Sequence, residues 1–292
     1  MVLGRERVGY NLRNSAKVNE AMNMILSPSE LQSGSLSPER VAHAARIFRD
    51  TGLVVLENLL DPAWIPDVRD AYNRALEAHM ADVGGLVGVQ QTPTEKNHLS
   101  FFPPLTAPFS DPRIVANPVA TQIMETLLGK DLWCTYYHSN TSYPGSGTQN
   151  IHRDDGHLFG TAVPFALPVT HLALNVPLCD FTPDNGSTEI WPGTHLIVDT
   201  DPADSGKLSE RAAGLKSART NIPAGSLVLR DLRMWHRGMP NTTNTPRTML
   251  ALVYRRSRMS GTTILDIPRA TWDAWPERAR QIFRGNKVGG TE

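Results

Sequence analysis

The chain has 292 residues, and its 29 basic and 29 acidic side chains give a formal net charge of zero. This balance leaves no electrostatic footprint for binding nucleic acid or a membrane surface. Only two cysteines occur, Cys134 and Cys179, which implies no disulfide framework and favours a reducing compartment. No signal peptide and no apolar run of membrane-spanning length is visible, so we expect a cytoplasmic protein.

Capping residues and apolar spacing predict helices in the first half of the chain. A serine before a proline, as in Ser37-Pro38, is typical of a helix start, and a glycine such as Gly52 is typical of a helix end. Residues 1–36 are polar and mixed, and we interpret them as an N-terminal arm ahead of a single domain over 37–292. We predict helices over about 38–51, 62–82, 118–128 and 277–283.

The second half of the chain predicts a β-rich core. Helices followed by short strands are typical of an α+β protein, here with a double-stranded β-helix, or jelly-roll, core over about 131–257. The long segment 85–112 and the loops 143–148 and 158–168 are predicted substrate walls or a lid. Short apolar segments bounded by turns predict strands over about 53–56, 132–137, 170–178, 188–191, 226–230 and 248–254.

The segment 149–157 contains two histidines and two adjacent carboxylates, with His152 and Asp154 two positions apart. On an extended strand such residues project from the same face. An imidazole beside a carboxylate makes two thirds of the 2-His-1-carboxylate triad of non-haem Fe(II) oxygenases. A His-x-Asp pair alone often occurs by chance, and the alternative is a surface pair in a turn.

A third metal ligand is expected far along the chain, and His236 is the candidate because it follows an apolar strand. Arg247 lies eleven positions later, at the start of the final strand. An arginine offers two parallel donors to a carboxylate. We expect two neighbouring antiparallel strands to bring His236 and Arg247 to the same interior, where they would form a metal site next to an anchor for a carboxylate co-substrate.

Four motifs occur in an order that is typical of one enzyme family. They are His152-x-Asp154, the segment Asn185–His195 with its Asn-Gly and Pro-Gly-Thr-His, the run Trp235–Asn241, and Arg247. Together they resemble the phytanoyl-CoA dioxygenase family of Fe(II)/2-oxoglutarate-dependent oxygenases, over residues of about 40–255. The run Trp235–Asn241 is similar to bacterial members that tailor natural products, aminoglycosides among them. The resemblance implies a jelly-roll core, one iron ion, 2-oxoglutarate, O2 and, in most members, a hydroxylated product.

The resemblance also assigns roles to individual residues. It implies that His152, Asp154 and His236 bind the iron, and that Arg247 binds the distal carboxylate of 2-oxoglutarate. Related halogenases replace the carboxylate ligand by a small residue, so the presence of Asp154 argues against halogenation. Further polar contacts to the co-substrate are expected from Gln149, Asn175 and Thr188.

Three neighbours of the expected ligands have less defined roles. Strand alternation predicts that Asp155 points away from the metal, as a solvated residue or as a support for a ligand. A fourth protein ligand would block positions that 2-oxoglutarate and O2 need, so His157 is expected to line the pocket or to be structural. Trp235 is a second candidate for the substrate pocket, although on a strand it would point opposite to His236.

We therefore predict an Fe(II)/2-oxoglutarate-dependent dioxygenase that oxidises a C–H bond of a small molecule and releases succinate and CO2. Hydroxylation, desaturation, epoxidation and ketone formation are all compatible with the sequence, as are a monomer and a homodimer. The alternatives are a non-catalytic cupin-like binding protein and a zinc-dependent hydrolase on the same ligands. Arg247 argues against the binding protein, which needs no anchor for an oxoacid.

Overall fold

The computed structural model describes residues 20–89, 95–198, 205–257, 259 and 263–289. Residues 1–19 of the predicted N-terminal arm lie outside the described residues. Helices and β-sheets form a mixed α+β fold, as the sequence predicts. No helix among the described residues is both long and apolar enough to cross a membrane.

Two sheets dominate the β-structure, and a cavity separates them. The strands of the described chain are β1 (Asn23–Ile25), β2 (Leu53–Glu57), β3 (His98–Phe101), β4 (Trp133–Ser142), β5 (His171–Pro177), β6 (Glu189–Ile190), β7 (Ala218–Arg219), β8 (Leu227–Asp231), β9 (His236–Arg237), β10 (Arg247–Arg255), β11 (Asp266–Ile267) and β12 (Lys287–Val288). Seven form the main sheet, in the order β1-β2-β8-β5-β10-β4-β3. Three form the small sheet, in the order β7-β6-β9, and residues of both sheets line the cavity.

Helices surround this β-structure. They are α1 (Pro28–Ser33), α2 (Pro38–Thr51), α3 (Ile65–Asp82), α4 (Leu86–Val89), α5 (Pro112–Val115), α6 (Pro118–Leu128), α7 (Ser205–Ala212), α8 (Arg269–Ala274) and α9 (Glu277–Phe283). The predicted start of α2 is confirmed, because Ser37 Oγ accepts a hydrogen bond from the Arg40 amide at 3.3 Å. Helix α3 begins three positions after the predicted Pro62, because the Asp61 carboxylate caps a preceding turn by accepting from the Ala63 amide at 2.9 Å.

Alternation along β10 gives the main sheet a core face and a cavity face. Leu250, Leu252 and Tyr254 are fully buried in the hydrophobic core. Since strand residues two apart share a face, the apolar pattern of β10 fixes which side chains reach the cavity. The alternate residues line the cavity: Arg247, Met249, Ala251, Val253 and Arg255.

The core face of the main sheet is covered by helices, α2, α3 and α6 among them. Polar residues on this face are paired rather than left open. The hydroxyl of the fully buried Tyr72 on α3 lies 2.8 Å from Ser139 Oγ and 2.9 Å from Thr141 Oγ1 of β4. The packed helix layer therefore gives the cavity face a rigid support.

Residues 20–36, which the sequence predicts to be part of an arm ahead of the domain, are part of the packed fold. Strand β1 pairs in parallel with β2, and Met22 and Met24 are each only 2% exposed. The sequence signal is weak because β1 has only three residues and lies in a polar context.

The predicted loop 85–112 contains α4 and β3, and β3 extends the main sheet by pairing with β4. His98 and Leu99 of β3 line the cavity, which confirms that this segment lies near a pocket. The expected antiparallel pairing of the strands that carry His236 and Arg247 is wrong. Strand β9 belongs to the small sheet and β10 to the main sheet, so the two residues reach the cavity from different sheets.

Candidate active site

A cavity of about 430 Å³ lies between the main sheet and the small sheet. Strands β4, β5, β8 and β10 line one side of it, and residues of β6 and β9 line the other. The volume falls in the range of roughly 300–1,000 Å³ that is typical of small-molecule sites. The predicted metal ligands and the predicted co-substrate anchor all line this cavity: His152, Asp154, His236 and Arg247.

An antiparallel bridge joins the two histidines of the predicted triad. The His152 amide donates to the His236 carbonyl at 3.0 Å, and the His236 amide donates to the His152 carbonyl at 3.0 Å. The Asp154 amide then donates to the Leu232 carbonyl at 2.9 Å. The predicted strand around His152 is reduced to this bridge. The bridge nevertheless places the centroids of the two imidazole rings 4.3 Å apart.

Backbone carbonyls orient both imidazole rings. His152 Nδ1 lies 2.8 Å from the Asn150 carbonyl oxygen, and His236 Nδ1 lies 3.0 Å from that of Met234. Because a carbonyl only accepts, His152 Nδ1 carries the hydrogen and its Nε2 keeps its lone pair for a metal. His236 Nδ1 also lies 3.3 Å from Arg230 Nη1, and its shorter contact with the Met234 carbonyl favours the same tautomer. The two Nε2 atoms lie 3.7 Å and 3.5 Å from Asp154 Oδ1. One ligand atom from each residue lies within 4.8 Å of the other two, so the cluster could hold one metal ion.

The second carboxylate oxygen of Asp154 is occupied by Arg230. Arg230 Nη2 donates to Asp154 Oδ2, which leaves Oδ1 facing the two histidines. Arg230 is 7% exposed and lies on the cavity face of β8. Burial raises the pKa of Asp154, but the charge of Arg230 and its hydrogen bond to this carboxylate hold the pKa well below its ordinary range. Asp154 is therefore ionised at neutral pH, as a metal ligand must be.

Burial keeps three histidines of the cavity neutral, namely His236, His98 and His138. It lowers the pKa of His236 well below its ordinary value, and the charge of Arg230 acts in the same direction. It also lowers the pKa of His98, and it lowers that of His138 to about 4. Neutral imidazole is the form that binds a metal, so the electrostatics of the cavity suit the cluster.

Arg247 carries a buried positive charge that has no carboxylate partner among the described residues. It is 3% exposed, and its Nη2 donates to the Gly186 carbonyl at 3.0 Å. Its Nε has no acceptor in the part of the chain that the structure describes, and its guanidinium lies 4.7 Å from the centre of the Phe181 ring. Burial lowers the pKa of Arg247 to about 10. Because a buried charge without a counter-ion is unfavourable, this end of the cavity is complementary to an anion.

The Asn-Gly motif holds Arg247 through its backbone. Gly186 has a φ of 83°, and a Cβ at this position would collide with the Met239 carbonyl oxygen. Only glycine accommodates both the left-handed backbone and the close approach. Asn185 fixes the preceding turn, because its Oδ1 accepts from the Thr182 amide at 2.9 Å. The motif therefore places the Gly186 carbonyl where it binds the guanidinium of Arg247.

The three residues expected to add polar contacts to the co-substrate all line the cavity: Gln149, Asn175 and Thr188. Asn175 is 7% exposed, and its Oδ1 has no partner among the described residues. Gln149 is held by the backbone, since its Oε1 accepts from the Gly238 amide at 2.7 Å. Gln149 therefore forms part of the cavity wall, whereas Asn175 presents an unpaired polar group to a ligand.

Asp155 lies on the cavity side, against the expectation that strand alternation turns it away. The amides of Asp154 and Asp155 both donate to the Leu232 carbonyl, at 2.9 Å and 3.1 Å, so the segment turns here and alternation does not apply. Asp155 lines the cavity, and its Oδ2 contacts His171 Nε2. Its Oδ1 accepts from the Gly156 amide at 2.7 Å.

His157 and Trp235 do not line this cavity, which corrects their assignment as candidate pocket residues. His157 Nε2 donates to the Ile197 carbonyl at 2.9 Å, so this residue has the structural role that the sequence analysis gives as the alternative to lining the pocket. Trp235 is fully buried and packs with Trp191 and Leu208 in a separate hydrophobic cluster. Its side chain points opposite to that of His236, as strand alternation predicts.

Sequence reasoning missed Arg230. It ends a run of apolar residues that predicts a strand, and it was read as a strand residue alone. A period-two count along β8 contains the signal, because Val228 and Arg230 line the cavity while Leu227 and Leu229 enter the core. A charged residue at an inward position of a buried strand needs a partner, and here that partner is Asp154.

Comparison with known proteins identifies the family. The sequence profile of the phytanoyl-CoA dioxygenase family matches residues 48–249, which is most of the chain. The chain belongs to the phytanoyl-CoA dioxygenase family. The matched span contains the three-residue cluster and Arg247, and membership confirms the prediction of an iron- and 2-oxoglutarate-dependent oxygenase.

Two fungal dioxygenases are similar in sequence to this chain. Dioxygenase af480 of Aspergillus fumigatus is 27% identical over 237 residues, which cover 78% of this chain and 68% of that protein. The iron/alpha-ketoglutarate-dependent dioxygenase ausO of Aspergillus calidoustus is 28% identical over 128 residues, 42% of this chain and 41% of that protein. The second alignment spans less than half of either protein.

The fold is similar to that of an epimerase of known structure. The crystal structure of the epimerase SnoN in complex with Fe3+, alpha ketoglutarate and nogalamycin RO has a TM-score of 0.59 at 20% sequence identity. The superposition covers 76% of this chain and 85% of that one. This similarity confirms the predicted jelly-roll core with helices on its N-terminal side.

Proposed function

We propose that the cavity is the active site of an Fe(II)/2-oxoglutarate-dependent dioxygenase, with iron on His152, Asp154 and His236. The observation that carries this proposal is the presence of two complementary sites in one cavity. The three-residue cluster has the spacing for a metal ion, and Arg247 has a buried charge that no carboxylate of the described residues balances. A metal with an oxoacid co-substrate meets both requirements, whereas a metal alone meets only the first.

The donor set fits iron. Two neutral imidazoles and one carboxylate are the ligands of non-haem Fe(II) oxygenases, and they leave positions for further ligands. Arg230 occupies Asp154 Oδ2, so the carboxylate would bind through Oδ1. When bound, iron with 2-oxoglutarate supplies the oxidation of a substrate C–H bond by O2, with succinate and CO2 as co-products.

The residues around Arg247 fit 2-oxoglutarate. Arg247 would hold the distal carboxylate, because its Nε has no acceptor among the described residues and its guanidinium offers parallel donors. Asn175 lies on the same cavity face and Thr188 lines the cavity opposite, and the amide NH2 group of the first and the hydroxyl of the second could each donate to the anion. We assign these two residues to polar contacts with the bound co-substrate, and Gln149 to the wall that shapes its site.

The substrate is a small molecule. The volume of the cavity supports this, as does the nogalamycin RO bound in the structure of the related epimerase SnoN. The main-sheet side of the cavity presents polar and aromatic residues beside the three-residue cluster, which we call the metal cluster. Among them are Tyr136 and His138 on β4. These residues would orient the substrate and exclude water during oxidation.

We also propose a cytoplasmic enzyme with a single catalytic domain that includes residues 37–292 and the packed segment 20–36. Cys134 and Cys179 are both unpaired, which supports a reducing compartment. The sheets that line the cavity draw on residues from β2 to β10, which supports one domain. Size-exclusion chromatography with light scattering distinguishes a monomer from a homodimer.

Succinate formation tests the proposed activity. The purified protein with Fe(II), 2-oxoglutarate and O2 is expected to release succinate, and pooled metabolites that contain the substrate should accelerate the release. Asp154→Ala should abolish it, because the metal loses its only carboxylate ligand. Asp266→Ala, which removes an exposed carboxylate on β11, is the matched control and should retain it. Succinate release that survives Asp154→Ala would contradict the proposal.

A further inference from the structure

One end of the cavity is not used by the metal cluster or by Arg247. Arg247 and Arg255 are the first and last residues of β10, and both line the cavity. A strand of this length places their Cα atoms about 26 Å apart, at about 3.3 Å per residue. A molecule of 2-oxoglutarate bound to Arg247 therefore does not reach Arg255. We call the region around Arg255, Tyr136, His138 and Phe102 the donor end.

A β-bulge builds the donor end. Where β10 pairs with β4, Val253 lies opposite Tyr136 and Tyr254 lies opposite Cys134, so Thr135 has no partner on β10. Bulges change the direction of side chains, often next to active sites. The 1% exposed Thr135 accepts a hydrogen bond from Arg255 Nε at 3.0 Å. The bulge therefore anchors the guanidinium of Arg255 while its terminal nitrogens stay in the cavity.

Hydrogen-bond donors exceed acceptors at this end. Beyond the bond to Thr135, the terminal nitrogens of Arg255 have no acceptor among the described residues, and neither does the hydroxyl of Tyr136. Asp155 is the carboxylate whose charge acts on Arg255, and each of its oxygens already has one partner, the Gly156 amide and His171. The donor end therefore offers several N–H and O–H groups to a ligand, beside a carboxylate that is directed to other partners.

An aromatic wall lies beside these donors. The Phe102 ring meets the Tyr136 ring edge-on at 5.4 Å between centroids, and the rings of Tyr136 and His138 are 4.7 Å apart. Phe102 is 53% exposed although it is large and apolar. Aromatic faces at the rim of a polar cavity are suited to contact with a flat ring or an apolar frame.

The donor end adjoins the metal cluster across the sheet. Arg230 pairs with Ala173, Ala173 pairs with Val253, and Val253 pairs with Tyr136, so these four residues form one row of the main sheet. Arg230 binds Asp154 at one end of this row. A molecule held at the donor end can therefore extend along this row towards the three-residue cluster.

We propose that the donor end binds the prime substrate, and that this substrate carries a carboxylate or an ionised phenol next to a flat ring or an apolar frame. The anionic group binds Arg255 and the Tyr136 hydroxyl, and the frame contacts the aromatic wall and extends towards the metal cluster. This inference rests on the proposed function, because it assigns the metal cluster to iron and Arg247 to 2-oxoglutarate.

Binding of a model anion tests the donor end in the loaded protein. The protein is saturated with Ni(II), which replaces iron so that no turnover occurs, and with 2-oxoglutarate, which occupies Arg247. It is then titrated by calorimetry with 2-naphthoate and with 2-naphthamide, which has the same frame without the charge. We expect the naphthoate to bind at least about tenfold more tightly, and Arg255→Gln to remove this preference.

Three variants locate the effect. Arg269→Gln removes an exposed arginine on α8 and should leave the preference unchanged, which controls for the loss of net charge. Arg255→Lys should keep part of the preference, because it keeps the charge without the fork. Tyr136→Phe should weaken naphthoate binding severalfold and leave naphthamide binding unchanged. Each variant is first shown to take up Ni(II) and 2-oxoglutarate as the unmodified protein does, which establishes that it is folded.

Three results would overturn the inference: equal affinity for the two probes, an unchanged preference in Arg255→Gln, or competition between 2-naphthoate and 2-oxoglutarate. Failure of the unmodified protein to take up 2-oxoglutarate contradicts the proposed function itself. Uptake of 2-oxoglutarate without a naphthoate preference contradicts only the assignment of the donor end.

Discussion

Two buried arginines in the same cavity differ in how their charge is balanced. Arg230 is 7% exposed and Arg247 is 3% exposed, so both guanidinium groups are largely removed from water. Arg230 donates to the carboxylate of Asp154, whereas Arg247 Nη2 donates to the backbone carbonyl of Gly186. The chain itself supplies the counter-ion at the metal cluster. At the other end of the cavity the counter-ion has to come from a ligand. The unbalanced charge of Arg247 therefore indicates an anionic co-substrate.

Replacing Arg247 by methionine should give the largest effect. This variant tests the arginine whose charge has no carboxylate partner in the described chain. Affinity for 2-oxoglutarate is expected to fall about 100- to 1,000-fold, because the carboxylate loses its charged partner. The melting temperature of the ligand-free protein should stay the same or rise, since an unpaired buried charge is replaced by an apolar group. Calorimetry on the Ni(II)-loaded protein and thermal unfolding measure the two quantities. A clear loss of ligand-free stability would show that the charge of Arg247 is already balanced within the chain.

Gly186→Ala tests whether the backbone carbonyl positions Arg247. We expect the free energy of unfolding to fall by about 2–3 kcal/mol, from backbone strain at a φ of 83° and from collision with the Met239 carbonyl, and 2-oxoglutarate binding to weaken with it. Gly129→Ala is the matched control, because Gly129 has a φ of 95° but nothing within 4 Å of an added Cβ. Equal losses in the two variants would mean that strain alone acts and that the approach to Met239 is unimportant.

Arg230→Gln tests the arginine whose charge is balanced by a carboxylate of the chain. Metal affinity is expected to fall about 10- to 100-fold, because Asp154 loses the partner that fixes its free oxygen. The metal-free protein should also become less stable, which is the opposite of the expectation for Arg247→Met. Arg255→Gln removes an equal charge from the same cavity face without touching Asp154, and its Ni(II) affinity should match that of the unmodified protein. Unchanged Ni(II) affinity in Arg230→Gln would remove the distinction between the two arginines.

The smallest expected effect is the pH dependence of stability that comes from the neutral imidazole of His138, in the cavity that both arginines line. Burial lowers the pKa of His138 from 6.5 to about 4, so the unfolded chain takes up this proton at a higher pH than the folded protein. Stability from this residue is therefore complete above pH 6.5 and is lost as the pH falls towards 4, by about 2 kcal/mol at pH 5. Unfolding in urea at pH 5 and pH 7 should show a smaller pH dependence for His138→Gln than for the control His43→Gln. An identical dependence would show that His138 titrates normally.

The residues of the candidate site could be proposed from the sequence because their combination is uncommon. Two histidines, a carboxylate and a distal arginine, in this order, suit few functions apart from iron with an oxoacid. The structure brings His152, Asp154, His236 and Arg247 into one cavity even though the detailed expectation of neighbouring strands is wrong. Strand β9 has only two residues, which is too short for a pattern that would reveal its sheet.

The supporting residues could not be predicted, because their roles depend on contacts between distant segments. Arg230 belongs to an apolar strand, and its partner Asp154 lies 76 positions away. Strand alternation predicts the direction of Asp155, and it ends where two consecutive amides bind the Leu232 carbonyl. Thr135 gains its role from a bulge that appears only when β4 and β10 pair. Period-two reasoning holds along β10 and fails wherever the chain turns.

Anaerobic titration with Fe(II) and 2-oxoglutarate tests the central claim most directly, because it requires the metal cluster and Arg247 to act on one molecule. The protein should develop a visible charge-transfer absorption band only when both are present. Arg247→Met should need at least about 100-fold more 2-oxoglutarate to reach the same absorbance. No band in the unmodified protein, or a band that appears at the same 2-oxoglutarate concentration in Arg247→Met, would contradict the account.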